Sequence, residues 1–154
     1  MPDVHFRRIN AKTVLEICNL SDTLSEVQRE MVADNAVSIA QAYFSENAWF
    51  RAIYADDDAI GFIMLHQGAD YDDEIDVHGV YLWRFMIAGP YQGKGYGKQA
   101  MEVLVKHLKG QGINEIMTSC EVGEGSPMSF YTRLGFTPNG ETFGEEIGLT
   151  LRFQ

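Results

Sequence analysis

The segment PYQGKGYGKQAMEVL, residues 90–104, constrains the fold most, because three glycines within five positions come directly before a helical pattern. Glycine costs conformational entropy and is kept where the backbone takes an unusual conformation or approaches another group closely. At the start of a helix, bare backbone exposes unpaired N–H groups that bind anions, most often phosphates. The segment therefore predicts a phosphate-binding turn between a strand and a helix.

Two common glycine loops do not fit this segment. A dinucleotide-binding loop has the pattern GxGxxG near the first strand, with an acid about twenty residues later. Here Gly93, Gly95 and Gly97 alternate with other residues and follow a late strand. A Walker loop ends in GK[ST], whereas Gly97-Lys98 is followed by Gln99 and offers no hydroxyl for magnesium. The pattern that remains is Gln92-x-x-Gly95-x-Gly97.

Length and composition predict one soluble domain over residues 1–154, since 45% of the residues are hydrophobic and 22% are charged. The chain begins without a secretory signal, and no apolar stretch is long enough to cross a bilayer. Cys18 and Cys120 lie far apart and outside any CxxC pair. We therefore expect a reduced, cytoplasmic protein with two incidental thiols. The four histidines have no ligand spacing, so no metal site is expected.

The formal net charge is −10, from 22 acidic and 12 basic side chains. Such a field repels nucleic acid and anionic lipid, and it favours a cationic partner. Between residues 89 and 109, however, four lysines stand against one acid, Glu102. A basic segment within an acidic chain suits a phosphate-rich ligand at the glycine loop.

Hydrophobic periodicity predicts an α/β (α+β) domain with a mixed sheet and the order β-α-α-β-β-β-α-β-α-β-β. Strands are predicted over 5–9, 49–55, 59–67, 77–89, 113–122, 136–143 and 146–153. Helices are predicted over 10–20, 24–47, 98–112 and 126–135, with Asn10 as the first N-cap and a break near Asp34-Asn35. Glu26, Glu30 and Asp34 are expected on one face of the second helical region.

A second motif lies 31 residues after Gly95, in the segment SPMSFYTRLGF, residues 126–136. Together with YLWRFMIAGPYQGKGYG, residues 81–97, it resembles the paired signatures of the GNAT superfamily of N-acetyltransferases. The element order agrees, so the resemblance covers essentially the whole chain. It implies a mostly antiparallel central sheet with flanking helices.

Within the superfamily, residues 32–65 together with the glycine loop look like the bacterial spermine/spermidine (diamine) N-acetyltransferases. The resemblance implies transfer of an acetyl group from acetyl-CoA to a primary amine, with a polyamine as the favoured acceptor. Another small amine, an amino acid or a protein amine is the alternative. A different class of function, an acetyl-CoA sensor without turnover, would fit better if Tyr131 were missing. A homodimer is an open expectation.

The resemblance also implies a cofactor site along the fourth strand and the loop. Backbone groups of Phe85, Met86 and Ile87 would pair with the pantetheine arm, and one of these amides would polarise the thioester oxygen. The backbone amides of the loop would hold the pyrophosphate. The loop residues are Gln92, Gly93, Lys94, Gly95, Tyr96, Gly97 and Lys98. Ser126 would contact the pantetheine or cap the following helix.

Two residues are predicted to move protons. Tyr131 stands at the family's general-acid position, although an aromatic residue of a short helix also packs in a core. Glu121, at the end of the fifth strand, is the nearest acid for a general base, with a chain of water molecules as the alternative.

The acceptor is expected beside Tyr81 and Trp83, whose rings offer cation–π attraction or fill the core. Glu30 is the candidate acid of the second helical region. An acidic loop is a further candidate for the distal amines, although most of its members are expected to be solvated. Its acids are Asp70, Asp72, Asp73, Glu74 and Asp76.

Overall fold

A computed structural model describes residues 2–67 and 79–154, so the acidic loop around Asp72 lies outside the described residues. The sheet has seven strands in the order β1-β2-β3-β4-β5-β7-β6. Their bounds are Val4–Arg7, Ala48–Ala55, Asp58–Gln67, Val80–Ile87, Glu115–Cys120, Thr137–Phe143 and Glu146–Arg152, from β1 to β7. No helix in the described ranges is long and apolar enough to cross a membrane.

The α-helices are α1 to α5, and two short 3-10 turns accompany them. The helices span Val14–Asn19, Glu26–Met31, Asn35–Tyr43, Tyr96–Gly110 and Met128–Arg133. The 3-10 turns span Leu20–Thr23 and Gly89–Tyr91. Helix α2 begins in a capping box, in which Ser25 and Gln28 each accept a hydrogen bond from the other's backbone amide. This reciprocal cap explains why so short a helix starts where it does.

The second helical region is divided in two at the predicted break, because α2 ends at Met31 and α3 begins at Asn35. The element order therefore gains a helix, β-α-α-α-β-β-β-α-β-α-β-β. Asp34 precedes α3 and does not share the face of α2 with Glu26 and Glu30. The N-terminal residues of α3 explain the break: the Asn35 amide donates to Ser21 Oγ and its side chain donates to the carbonyl of Ile17.

The assignment of Asn10 as the first N-cap is also wrong. Helix α1 begins at Val14, with Thr13 at the N-cap. Asn10 Oδ1 instead accepts from the amides of Lys12 and Thr13, at 2.9 and 3.2 Å. The asparagine side chain thus stabilises the turn that precedes the helix, as its short amide favours.

The mostly antiparallel sheet is confirmed, and its one parallel pair, β4 with β5, lies near the middle. Among the described residues, the register of this pair consists of Tyr81 opposite Met117 alone. Beyond that point β4 follows β3 as far as Ile87, while β5 follows β7 as far as Cys120. The two strands therefore diverge and leave a wedge-shaped opening in the sheet.

An irregularity in β4 sets which side chains face this opening. Leu82 is opposite Leu65 and Arg84 is opposite Met64, so Trp83 is an extra residue in the ladder. The bulge keeps Leu82 and, further along, Phe85 on the side of the sheet that α4 covers. Tyr81 and Trp83 belong to the other core, under α1 and α3.

Close approach of β3 to β4 requires glycine at position 61. A Cβ on Gly61 would collide with the carbonyl oxygen of Met86. Gly61→Ala should therefore push the end of β4 away and lower the free energy of unfolding by about 1–3 kcal/mol, as overpacking does. Urea denaturation measures the change.

The matched control is Gly110→Ala, because a Cβ at the end of α4 meets nothing within 4 Å. It should leave the free energy of unfolding unchanged or raise it slightly, as alanine favours helix. Equal stability of both variants would contradict the close strand approach.

Candidate active site

The glycine loop brings bare backbone to the N-terminus of α4. Gly95 is the N-cap with a φ of +86°, and Gly93 has a φ of +73°. Such left-handed conformations favour glycine. The amide of Gln99 pairs with the carbonyl of Gly95 at 3.1 Å. The first turn of a helix has backbone amides without a partner inside the helix. In α4 these are the amides that precede Gln99, and they can bind an anion.

Side chains fix this loop to its neighbours. Gln92 Nε2 donates to the carbonyl of Ile87 at 2.8 Å, which ties the loop to the end of β4. Gln28 on α2 donates to Gln92 Oε1 at 2.9 Å. Thr23 Oγ1 accepts from the amide of Gly89 at 2.8 Å. The loop is thus held in place before any ligand binds, which lowers the cost of ordering it.

Gly97 allows the first turn of α4 to lie against α5. A Cβ at this position would come within 2.9 Å of the Phe130 ring. The same ring stacks on Phe85 of β4, with 5.9 Å between ring centroids. The loop, the diverging part of β4 and helix α5 therefore meet at one point.

Tyr131 lies next to this contact and is 6% exposed. Its ring packs edge-on against Phe130 and Phe136, with centroid distances of 5.5 and 5.2 Å. Burial, and then the nearby Cys120 thiol, raise the pKa of Tyr131, while a hydrogen bond with Thr118 lowers it. The phenol consequently keeps its proton at neutral pH and is available as a donor.

Tyr81 lies where β4 and β5 part, on the opposite face of the sheet. Its hydroxyl hydrogen-bonds with Ser119 of β5. Burial raises the pKa of Tyr81 to about 12, although this hydrogen bond lowers it. Ser119 in turn donates to Glu146 of β7, at 2.8 Å.

Trp83 is enclosed by protein groups. The Arg84 guanidinium lies 5.2 Å from the ring centroid, and His66 meets the ring edge-on at 5.5 Å. Arg84 itself donates to the carbonyl of Trp83 and to Gln41 Oε1. The Arg84 guanidinium therefore already stacks on this indole. A role of Trp83 in binding the acceptor stays a prediction.

The segment after β5 joins two of the predicted residues. Ser126 donates to the carbonyl of Glu121 and accepts from the amide of Met128 at 3.1 Å. Its hydroxyl thus stabilises the turn before α5, whose N-cap is Pro127, and its contact with the pantetheine stays a prediction. The carboxylate of Glu121 belongs to an exposed residue at the strand end.

Helix α2 lies across the mouth of the opening. Gln28 contacts the glycine loop, and Val27 lies so close to Gly125 that a Cβ there would collide with it. Glu30 is one turn further along α2 and is exposed. The helix therefore connects the two sides of the wedge, the loop and the segment before α5.

Sequence patterns did not single out four polar residues of this region, Gln28, Thr118, Ser119 and Glu146. Thr118 is buried and donates to the carbonyl of Leu82 at 3.0 Å, across the β4–β5 opening. One signal was present in the sequence: β5 reads EIMTSC, with two hydroxyl residues in a strand otherwise rich in apolar side chains. Hydroxyls in such a strand need partners.

A basic groove of about 420 Å³ runs along α4 from Lys98 to Lys109, beside the C-terminal end of α5. Its charged lining is Lys98, Glu102, Lys106, Lys109 and Arg133. Within residues 2–67 and 79–154, no three histidine, cysteine or acidic side chains cluster as a metal ion would require.

Known proteins are similar to this chain in sequence and in fold. The chain is 34% identical over 90 residues to the spermine/spermidine N(1)-acetyltransferase of Bacillus subtilis, a match that covers 58% of this chain and 59% of that relative. The match therefore spans less than two thirds of the relative's length.

Two solved structures have the same fold at low identity. The PaiA N-acetyltransferase of Thermoplasma acidophilum, in complex with coenzyme A, has a TM-score of 0.65 at 20% identity, over 98% of this chain and 99% of that one. An acetyltransferase of Salmonella typhimurium that modifies the N-terminal serine of a ribosomal protein has a TM-score of 0.75 at 12% identity. That match covers 98% of this chain and 95% of the Salmonella chain.

The family model of the Acetyltransferase (GNAT) family matches residues 15–136, which include the glycine loop, β5 and α5. This match confirms the family, and with it the expected class of acyltransferases that use acetyl-CoA. The chain belongs to the GNAT family of acetyltransferases.

Proposed function

We propose that this protein is an N-acetyltransferase that moves an acetyl group from acetyl-CoA to a primary amine, with a polyamine such as spermine or spermidine as the favoured acceptor. One observation carries the proposal. The divergence of β4 from β5 opens the sheet beside the glycine loop of α4, and Tyr131 lies at the same point.

The proposed donor site combines backbone amides of the glycine loop with cationic side chains, both of which suit an anionic ligand. The amides from Gln92 to Lys98 suit a pyrophosphate at a helix N-terminus. The basic groove beside α4 adds cationic side chains for further phosphate. Along the opening, the backbone of residues 85–87 has an edge turned away from β3, on which the pantetheine arm would pair as an additional strand.

The chemistry requires a neutral amine and a protonated leaving group. The amine nitrogen attacks the thioester carbon, an amide of residues 85–87 stabilises the oxyanion, and the C–S bond then breaks. Tyr131 supplies a proton to the departing thiolate, a role that its protonated phenol and its position beside Phe130 at the opening support. For the general base, the sequence offers Glu121 or a chain of water molecules.

Two observations support a polyamine acceptor. The net charge of −10 attracts a polycation, and the Bacillus relative is named a spermine/spermidine N(1)-acetyltransferase. The alternatives are another small amine, an amino acid or a protein amine, the last of which the Salmonella neighbour modifies. Tyr131 favours turnover over a sensor function. A homodimer stays a prediction.

Loss of one glycine should abolish donor binding without loss of the fold. Gly95→Val puts a branched side chain where the phosphate would approach. Acetyl-CoA and CoA should raise the Tm of the wild type, because a ligand of the folded state stabilises it. NAD or ATP should raise it much less, and Gly95→Val should show no CoA-dependent rise.

Gly112→Val is the matched control, since Gly112 also has a positive φ, +77°, and open space around its Cβ position. Both variants carry similar backbone strain, but Gly112 lies beyond the far end of α4. The control should keep the full CoA-dependent rise in Tm. Loss of that rise in both variants would contradict the assignment of the loop.

The acceptor is tested with a panel of amines and release of CoA as the signal. Spermine and spermidine should have a higher kcat/KM than amino acids or a lysine peptide. Added salt should reduce that advantage, because it screens the attraction between a polycation and an acidic protein. A neutral amine as the best acceptor, with no effect of salt, would remove the polyamine assignment while leaving the acetyltransferase intact.

Tyr131→Phe separates catalysis from packing, because the ring contacts with Phe130 and Phe136 persist. As the general acid, the lost hydroxyl should lower kcat by about 10²-fold or more. Affinity for acetyl-CoA should stay the same, and stability should change by no more than about 1 kcal/mol, the worth of one hydrogen bond.

The control Tyr54→Phe removes the hydroxyl of another buried tyrosine, on β2 in the second core. It should leave kcat near that of the wild type. If Tyr131→Phe also keeps kcat within about threefold of the wild type, Tyr131 is a core residue and another group protonates the thiolate.

A further inference from the structure

A chain of three polar side chains crosses the sheet at the apex of the β4–β5 opening. Tyr81 is on β4, Ser119 on β5 and Glu146 on β7, so each residue comes from a different strand of three consecutive ones. The Tyr81 hydroxyl hydrogen-bonds with Ser119 Oγ, and Ser119 Oγ lies 2.8 Å from Glu146 Oε1.

The chemistry of the groups fixes the direction of these hydrogen bonds. An ionised carboxylate only accepts, and the pKa of a phenol lies far above neutral pH. Ser119 has a single hydroxyl proton and donates it to Glu146. The proton between Tyr81 and Ser119 must then come from Tyr81. The lone pairs of the Tyr81 oxygen are left to accept a hydrogen bond from a further donor, such as an amine N–H.

The two ends of the chain differ in their access to water. Tyr81 is 4% exposed and is the last β4 residue in register with β5, directly before the strands diverge. Tyr131 belongs to the core on the other face of the sheet. Glu146 is partly exposed at the start of β7. The chain therefore leads from the buried apex of the opening to a carboxylate in contact with solvent.

We propose that Tyr81, Ser119 and Glu146 form a proton relay that deprotonates the acceptor amine, an inference that rests on the proposed acetyltransferase function. The Tyr81 oxygen takes a proton from the bound ammonium while its own proton passes to Ser119 and the serine proton passes to Glu146. The carboxylate becomes a carboxylic acid and later releases the proton to water. Tyr81 touches the amine and is the catalytic residue; Ser119 and Glu146 act through it.

The protons of the reaction balance with this relay. An ammonium group loses two protons when it becomes an amide. The first leaves through Tyr81, Ser119 and Glu146 to solvent, and the second leaves the nitrogen after the C–N bond forms. The departing thiolate gains one proton from Tyr131 as the C–S bond breaks, and the second nitrogen proton restores the phenol. No oxidant or further reactant is needed.

The alternative is that the same three residues only hold β4, β5 and β7 together. Glu146→Gln distinguishes the two, because an amide oxygen still accepts from Ser119 but cannot take up its proton. The relay predicts a fall in kcat/KM for the amine of about 10²-fold at pH 7, the range of a lost general base, with unchanged Tm. Glu145→Gln, which removes the charge of the exposed neighbour, should retain the wild-type rate.

The pH profile distinguishes the relay from a purely structural role, because a structural role would not change how the rate depends on pH. Without the relay, only amine molecules that are already neutral react, and their fraction rises about tenfold per pH unit below an amine pKa near 10. The deficit of Glu146→Gln should therefore shrink to about threefold or less by pH 9. The other titratable and charged groups around the chain are Arg84, Cys120, Tyr131 and His66, which is opposite Tyr81 in the β3–β4 register. These groups are the same in the wild type and in Glu146→Gln.

Three further variants keep the relay testable if Glu146→Gln does not fold. Tyr81→Phe and Ser119→Ala should each give the same pH-dependent deficit, and Ser119→Thr, which restores a hydroxyl, should recover the wild-type rate. A pH-independent deficit in these variants would overturn the relay, as would full activity of Glu146→Gln. If the wild type acetylates no amine, the proposed function is wrong. If the wild type acetylates an amine and Glu146→Gln does so equally fast, the relay alone is wrong.

Discussion

The divergence of β4 and β5 is the constraint on which the site depends. A parallel pair near the middle of a sheet normally continues its hydrogen bonds along both strands, because unpaired backbone groups inside a protein are costly. Here the register holds only at Tyr81 and Met117. Thr118 partly compensates by donating its hydroxyl to the carbonyl of Leu82 across the opening. The remaining edge of β4 suits a ligand with its own donors and acceptors.

The elements that surround the opening explain why it does not close. Phe130 fills the space beside Phe85 on one face, and α2 bridges the mouth through Gln28 and Val27. Gly61 permits the close approach of β3 to β4, and Gly97 permits that of α4 to α5. A packed wall around a partly unpaired strand edge is a way to prepare a site before its ligand arrives.

How far the sequence predicted this site depends on the range of the interactions. The glycine loop, the helix after it and the SPMSFYTRLGF motif are local patterns, and the family that they indicate is confirmed. Helix ends were less predictable, because Asn10 competes with Thr13 as a cap and tertiary hydrogen bonds of Asn35 separate α2 from α3. The contact of Ser119 with Glu146 depends on the pairing of β5 with β7, which no local pattern contains. Polar residues joined by distant strands become visible only in the folded chain.

Charge is distributed so that the two substrates of an acetyltransferase meet different surroundings. Helix α4 packs on one face of the sheet, and α1 and α3 pack on the other. Residues 89–110 carry four lysines and one acid, whereas residues 10–47 carry six acids against one lysine and one arginine. Opposite fields on the two faces would suit an anionic donor on one side and the proposed cationic acceptor on the other. The opening between β4 and β5 is the place where the two faces of the sheet meet, and Tyr131 and Tyr81 belong to the cores on either side of it.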